Sequence, residues 1–283
     1  MTLVSAAALT DLLASGTPVR VLDVRWSLTE PDGRAAHEAG HIPGAVYVDL
    51  ETDLSDHGAT GRGRHPLPSA DALEAALWRW GVDDGDTVVV YDDWNRAGSA
   101  RAWWLLRAAG LDDVRILDGG WAAWRADDRP VTAEPEDPRV GSITLARRNF
   151  DAGALATLTA ADAAGLARDG VLLDARAPER FRGDVEPIDP VAGHIPGAVN
   201  LPSTALLGED GRFAPAEDLR AVFAAHGVDG DRSAGTYCGS GVTAAVVVAA
   251  AEVAGLDLAL FPGSWSQWSS DPANPVETGP ATD

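Results

Sequence analysis

A glycine-rich stretch near the carboxyl end of the chain carries its single cysteine, Cys238, and reads YCGSGVTA from Tyr237 to Ala244. Gly239 and Gly241 can take positive φ angles at little steric cost, which lets the loop curl until several backbone N–H groups point inward. These donors, with those at the start of a following helix, stabilise negative charge on the sulfur and favour a reactive thiolate. A buried cysteine that only fills space is the alternative, and the loop context makes it the weaker one.

The residue type at position 244 disfavours phosphate chemistry. A cysteine-based phosphatase grips the phosphate with an arginine at the place that Ala244 occupies here, because a guanidinium group binds phosphate as a fork. The sequence therefore disfavours hydrolysis of phosphate esters, and arsenate chemistry on the same scaffold.

The secondary structure predicted around the loop places Cys238 at the edge of a sheet. Residues 234–237 indicate a weak strand, and residues 244–251 a fully buried helix that Gly255 closes. A strand that leads through a turn into a helix puts the residues between them at the carboxyl edge of a parallel sheet, where α/β proteins bind ligands. In the first half, the pattern predicts helices over about 5–14 and 98–109, and another that Ser69 caps and that ends at Gly81. It predicts strands over 19–24, 87–91 and 114–117, with a further strand that reaches Val48.

Three motifs occur in the first half and recur, in the same order, in the second. VLDVR from Val21 recurs as VLLDAR from Val171, HIPGAV from His41 recurs unchanged from His194, and GGWAAW from Gly119 recurs as GSWSQW from Gly263. Ordered repetition at nearly constant spacing indicates a duplicated domain. Because strands and helices alternate in each copy, we expect two α/β domains, each a parallel sheet with helices on both faces.

The repeat also predicts the domain boundaries and which copy is catalytic. We expect an N-terminal domain over 1–129, a proline-rich linker over 130–147, a catalytic domain over 148–270 and a loosely attached tail over 271–283. Asp92 occupies the position of the cysteine in the first copy. A carboxylate cannot replace a soft sulfur nucleophile, so the first domain is predicted to be catalytically silent and to shape the cleft.

The composition limits the possible partners. The chain has 283 residues, and 43 acidic against 22 basic residues give it a formal net charge of −21. Such an acidic chain is a poor partner for nucleic acid or an anionic membrane. The lone cysteine, with no signal-peptide or membrane-span pattern, predicts a cytoplasmic protein. No spacing of ligand residues suggests a metal, and no glycine pattern suggests a nucleotide cofactor.

The loop CGSGVT from Cys238 resembles the active-site loop of the rhodanese-type sulfurtransferases, in the form typical of 3-mercaptopyruvate sulfurtransferases. The thiosulfate-preferring branch usually carries basic residues after the cysteine, and these are absent here. Signatures in both halves extend the resemblance over nearly the whole chain. It implies two tandem rhodanese-like domains without a cofactor, and a Cys238 persulfide that moves sulfur from a small anionic donor to a thiol or cyanide acceptor, including a thioredoxin-like protein.

The resemblance also implies which residues bind the donor. Arg180 aligns with a substrate-binding arginine of the family, and Arg182 is a weaker candidate for the same role. The loop residues expected to hold the donor and the persulfide are Gly239, Gly241, Val242 and Thr243. A second arginine expected before the second HIPG motif is missing, because residues 184–192 contain no basic residue. The preferred donor, thiosulfate or 3-mercaptopyruvate, is therefore left open.

Proton transfer in the mercaptopyruvate branch uses an acid, a histidine and the loop serine, which by position resemble Glu51, His65 and Ser240. Glu51 replaces the more usual aspartate, and Trp26 could line the same cleft. The features assigned to structure because they occur in both copies are His41, His194 and the tryptophans at 121, 124, 265 and 268. A non-catalytic persulfide carrier that serves a partner protein is the alternative to an enzyme.

Overall fold

The structure, a computed structural model, describes residues 1–280, and these form two compact units. The first unit contains residues 1–56, 67–155 and 208–213, and the second contains 57–66, 156–207 and the described part of 214–283. Two short segments therefore pack away from their neighbours in sequence, since 57–66 belongs to the second unit and 208–213 to the first. The predicted boundaries at 129, 147 and 270 stay predictions. Residues 281–283 of the predicted tail lie outside the described residues.

The first unit is built on a five-stranded parallel sheet. Its strands are β1 (Leu3–Val4), β2 (Val19–Asp23), β3 (Ala45–Tyr47), β4 (Thr87–Tyr91) and β5 (Val114–Leu117), and its helices are α1 (Ala6–Ala14), α2 (Arg34–Ala39), α3 (Ala70–Arg79), α4 (Ala97–Ala108) and α5 (Gly120–Ala126). The strand order is β1-β5-β4-β2-β3. Every residue of β4 is buried, as a central parallel strand between helices requires. Ser5 and Ser69 cap α1 and α3 through their side-chain oxygens, and Ser69 was predicted for that position.

The second unit repeats this plan with a four-stranded parallel sheet. Its strands are β6 (Val171–Asp174), β7 (Val199–Asn200), β8 (Ala234–Tyr237) and β9 (Ala259–Leu260), and its helices are α6 (Ala160–Asp169), α7 (Pro178–Arg182), α8 (Ala216–Ala225), α9 (Ala244–Val253) and α10 (Ser264–Trp268). The order is β7-β6-β8-β9, and a single parallel bridge from Thr157 to Leu260 extends it. The prediction of two parallel sheets flanked by helices is confirmed. In the described part of the chain, no helix is long and apolar enough to cross a bilayer.

Residues 271–280 are bound to the second unit, contrary to the predicted loose attachment. Glu277 and His194 form an antiparallel bridge, and the amide of Gly279 donates to the carbonyl of Arg182 at 2.8 Å. The indole of Trp268 donates to the carbonyl of Pro275 at 2.9 Å. Backbone pairing of this kind gives no periodic signal in the sequence, so the segment resembled a free tail. The predicted structural roles of His194 and Trp268 agree with these contacts.

A buried ion pair is duplicated at the carboxyl ends of β2 and β6. In the second copy, Arg176 donates to Asp174 at 2.6 Å and to the carbonyl of Gly193 at 2.7 Å, and its guanidinium lies 4.7 Å from the centre of the Trp265 ring. Burial opposes the charge on Arg176, but the adjacent carboxylate outweighs it and raises the pKa of the guanidinium. The buried aspartate–arginine pair thus connects each sheet to the loop beside it, which gives a structural reason for its recurrence in both copies.

Asp174→Asn is expected to lower the free energy of unfolding by about 3–5 kcal/mol, because it leaves the buried guanidinium of Arg176 without its main counter-ion. Glu186, at 3.4 Å from Arg176, compensates only in part. The matched control is Asp184→Asn, which breaks the pair with Arg182 whose side chains are 40% and 56% exposed. That change should cost no more than about 1 kcal/mol. Urea unfolding of both variants measures the difference, and equal losses would contradict a buried structural pair.

Candidate active site

The cysteine loop connects β8 to α9, and the structure places Cys238 at the carboxyl edge of the second sheet as predicted. Its side chain is buried, with the residue 1% exposed. The sulfur nevertheless has a polar partner, because the amide of Gly241 donates to Sγ at 3.1 Å. A main-chain donor in this position stabilises a negative charge on the sulfur without the cost of reorganisation. The loop is thus suited to a negatively charged sulfur at Cys238.

The two loop glycines serve different purposes. Gly241 has a φ of +77°, and a Cβ on it would lie 2.2 Å from the carbonyl oxygen of Pro262, so only glycine fits. Gly239 does not use the freedom to take a positive φ, because its backbone lies outside that region. Its lack of a side chain instead leaves room for an arginine, because a Cβ there would lie 3.2 Å from Nη2 of Arg64.

Ser264 is a neighbour of the cysteine that the sequence interpretation missed. Its hydroxyl accepts the amide of Cys238 at 3.1 Å, donates to the carbonyl of Phe261 at 2.9 Å, and lies 4.0 Å from Sγ. Ser264 has a φ of +52°, where the first copy has Gly120 at +54°. A serine in this conformation costs of order 1–3 kcal/mol, which its buried hydrogen bonds must offset. The sequence signal that could have identified Ser264 is the replacement of the second glycine of GGWAAW by serine in GSWSQW.

His65 and Ser240, predicted as proton-transfer partners, are in contact. Nδ1 of His65 lies 2.7 Å from Oγ of Ser240, and both side chains are buried. The segment 57–66 brings His65 here because Gly63 approaches the start of α10 closely, and a Cβ on Gly63 would lie 2.5 Å from the carbonyl oxygen of Gly263. A histidine hydrogen-bonded to a serine hydroxyl can pass a proton between them.

Two further residues of the prediction belong to the first unit. The carboxylate of Glu51 accepts a hydrogen bond from the indole of Trp26 at 2.6 Å. Its predicted part in proton transfer stays a prediction. Asp92, at the place of the missing cysteine, forms an ion pair with Arg96 at 2.9 Å and accepts hydrogen bonds from the amide and hydroxyl of Ser99. This carboxylate is fully buried, and the catalytic silence of the first copy stays a prediction.

The other loop candidates, Val242 and Thr243, lead into the first turn of α9. Val242 is buried and its carbonyl accepts the amide of Ala245 at 3.1 Å, while Thr243 is the capping residue of the helix. Their contacts are those of a helix start that holds the loop in shape. Direct contact of either side chain with a donor stays a prediction.

Arg180 lies beside the loop and binds acidic residues from the segment that lacks basic ones. Its Nη2 donates to Glu186 at 2.6 Å and lies 3.4 Å from Asp189. Its Nη1 would be 3.5 Å from a Cβ on Gly239. Arg182, by contrast, pairs with Asp184 at 2.8 Å on an exposed part of α7 and its flank. Of the two arginine candidates, only Arg180 is placed against the cysteine loop by these contacts.

The two carboxylates that meet Arg180 respond differently to burial. Burial disfavours the charge of Glu186, yet hydrogen bonds from Arg180 and from the amide of Asp189 lower the pKa of Glu186 below its usual value. For Asp189, burial prevails and the charge of Glu186 adds to it, so the pKa of Asp189 is raised even though Arg64 pairs with it. The arginines that face both carboxylates therefore act against the effect of burial on their pKa values.

Two tandem α/β domains, one with a cysteine loop at the carboxyl edge of its sheet and one with an aspartate in that place, define a two-domain rhodanese. A sequence model of the rhodanese-like domain matches residues 5–127 and 159–271, and the chain belongs to this family. It is a sulfurtransferase by its similarity to enzymes of that class. The predicted family, fold and enzyme class are therefore confirmed.

Individual relatives come from both branches of the family. SseB of Mycobacterium tuberculosis, to which thiosulfate sulfurtransferase activity is ascribed, is 56% identical over 279 residues, covering 99% of this chain and 98% of SseB. The 3-mercaptopyruvate sulfurtransferase of Escherichia coli is 37% identical over 267 residues, covering 92% of each chain. The crystal structure of the 3-mercaptopyruvate sulfotransferase SseA from Escherichia coli matches with a TM-score of 0.81 and 33% identity, covering 94% of this chain and all of SseA.

Proposed function

We propose that the protein transfers a sulfane sulfur from a small anionic donor to a thiol or cyanide acceptor through a persulfide on Cys238. The observation that carries the proposal is the hydrogen bond from the Gly241 amide to Sγ, in a loop flanked by the Ser240–His65 pair and by Arg180. This combination offers a nucleophile, a proton-transfer pair and a cation to orient an anion. A buried structural cysteine would need none of these neighbours.

In the first half-reaction, the thiolate of Cys238 attacks the sulfane sulfur of the donor. With thiosulfate, a new S–S bond forms, the S–S bond of the donor breaks, and sulfite leaves with the electron pair. With 3-mercaptopyruvate, the C–S bond breaks instead, and the enolate of pyruvate leaves and takes up a proton. The thiol proton of 3-mercaptopyruvate balances that step, and Ser240 with His65 is suited to move it.

In the second half-reaction, a thiolate or cyanide attacks the terminal sulfur of the persulfide, and Cys238 leaves as the thiolate. The amide of Gly241 stabilises the charge on Sγ as the bond breaks. A thiolate that must be regenerated suits a reducing compartment, and we propose the cytoplasm, with a thioredoxin-like protein among the candidate acceptors.

The choice of donor separates the two branches of the family. The loop sequence CGSGVT favours 3-mercaptopyruvate, which needs a proton at the leaving carbon and therefore uses the Ser240–His65 pair. Residues 184–192, before the HIPG motif, offer no second arginine to bind a pyruvate carboxylate, which argues for thiosulfate. Since the relatives also divide between the two donors, both are proposed as substrates, to be ranked by experiment.

A side-by-side kinetic comparison of thiosulfate and 3-mercaptopyruvate with one acceptor tests the proposal. We expect steady turnover with at least one donor, and a protein heavier by one sulfur atom in the mass spectrum when the acceptor is omitted. Because Cys238 is the only cysteine, the added sulfur has a unique thiol position. A persulfide that forms once and never turns over with free acceptors would instead support the carrier alternative. Absence of the added sulfur with both donors would contradict both.

A further inference from the structure

Two guanidinium groups, not one, face the loop beside Cys238. A Cβ on Gly239 would lie 3.2 Å from Nη2 of Arg64 and 3.5 Å from Nη1 of Arg180. Arg180 was expected from the family motif, whereas Arg64 comes from the distant segment 57–66. The two arginines therefore meet at the residue that directly follows the nucleophile.

Each arginine divides its nitrogens between a carboxylate and the loop. Arg64 uses Nη1 to bind Asp189 at 2.6 Å, and its Nη2 is the atom nearest to Gly239. Arg180 uses Nε and Nη2 to bind Glu186 at 3.3 and 2.6 Å, and its Nη1 is nearest to Gly239. The ion pairs with Asp189 and Glu186 thus fix the orientation of the two guanidinium planes, so that one edge of each guanidinium faces the loop. Asp189 touches both, since it also lies 3.4 Å from Arg180.

The position of Arg64 is fixed by its backbone as well as by its side chain. Its amide donates to Oγ of Ser266 at 2.9 Å, and the carbonyl of Gly61 accepts Nε2 of Gln267 at 3.1 Å. The side chain of Asp189 is only 4% exposed, and that of Arg64 is 27% exposed. A solvated surface arginine would lack both a nearly buried carboxylate partner and hydrogen bonds that fix the backbone around it.

We infer that Arg64 is the second donor-binding arginine of this enzyme and a determinant of its specificity for anionic donors. It supplies, from another part of the chain, the fork that the sequence lacks before the second HIPG motif. With Arg180 it forms a pair of guanidinium edges at Gly239, the residue after the nucleophile, and such a pair suits a small oxyanion such as a carboxylate or the sulfonate-like end of thiosulfate. The inference rests on the proposed function for its biological meaning, but its physical content, an anion site beside Cys238, can be tested separately.

Alkylation of Cys238 by iodoacetate and by iodoacetamide provides that separate test. In both, the thiolate attacks the CH₂ carbon and iodide leaves with the electron pair, but only iodoacetate carries a carboxylate. Because the chain has one cysteine, mass spectrometry reports on Cys238 alone. Arg64→Ala should lower the ratio of the iodoacetate rate to the iodoacetamide rate about 10-fold, since it removes one charge-assisted fork. Arg64→Lys, which keeps the charge and loses the fork, should give a ratio between those of the alanine variant and the original protein.

Arg62→Ala is the matched control, because it removes the same charge from an exposed residue of the same segment. Its rate ratio should stay within about twofold of the original, as long-range electrostatics alone would predict in physiological salt. If Arg64→Ala and Arg62→Ala give the same ratio, or if Arg64→Ala slows both reagents equally, Arg64 does not bind the anion and the inference is overturned. Failure of every sulfur donor to turn over would instead count against the proposed function and leave this ratio meaningful.

Discussion

Cys238→Ser abolishes sulfur transfer, with an expected loss on the order of 10⁴-fold or more, as for removal of a catalytic nucleophile. The physical reason is that a serine hydroxyl neither ionises near neutral pH nor bonds a sulfane sulfur in a stable, reversible way. The expected mass spectrum shows no added sulfur after incubation with either donor. Initial rates and mass spectra of the same preparation are the measurements.

The fold of the Cys238→Ser variant should be unchanged, which makes the result interpretable. A serine Oγ can accept the amide of Gly241 that the sulfur accepts at 3.1 Å, and the amide at position 238 keeps its bond to Ser264. Urea unfolding midpoints of the two proteins should therefore agree closely. Substantial residual transfer in a folded serine variant would show that the sulfur does not pass through this residue.

Arg180→Ala is expected to damage the donor half-reaction about 10–100-fold, because a hydrogen bond to a charged group contributes about 1.5–3 kcal/mol. The loss of the guanidinium also leaves Glu186 and Asp189 less compensated, and their negative charge then repels an anionic donor. Transfer from a preformed persulfide to cyanide should change much less. Stopped-flow measurement of the two half-reactions separates these effects.

Two further variants are controls for the effect of Arg180→Ala on the donor half-reaction. Arg232→Ala removes an exposed arginine of the same unit whose contact is the carbonyl of Gly170, and both half-reactions should keep their rates. Arg180→Lys retains the charge opposite Glu186, so its fold is protected and only the fork is lost. An equal effect of Arg180→Ala on both half-reactions would mean that the arginine supports the loop and does not orient the donor.

Much of the fold could be predicted from local sequence because its signals are local. The run TVVVY predicted β4 with its bounds, Thr87–Tyr91, and a serine before an amphipathic run predicted the start of α3. The recurrence of HIPGAV predicted the duplication, since two identical segments adopt the same turn. The prediction of a free tail failed because the bridge from His194 to Glu277 depends on backbone groups, which every residue has.

The cysteine loop itself was determined by the sequence, whereas its surroundings were decided by the tertiary structure. A lone cysteine between a strand and a helix, followed by glycines at 239 and 241 that permit a tight turn, can be recognised from residue types. The contacts of His65 with Ser240, Arg64 with Asp189 and Arg64 with Ser266 join residues 175, 125 and 202 positions apart. Their pairing depends on which unit the segment 57–66 packs against, and no local propensity encodes that choice. The nucleophile could therefore be predicted from the sequence. The charged residues around it could be identified only from the tertiary structure, because packing brings residues together that are distant in sequence.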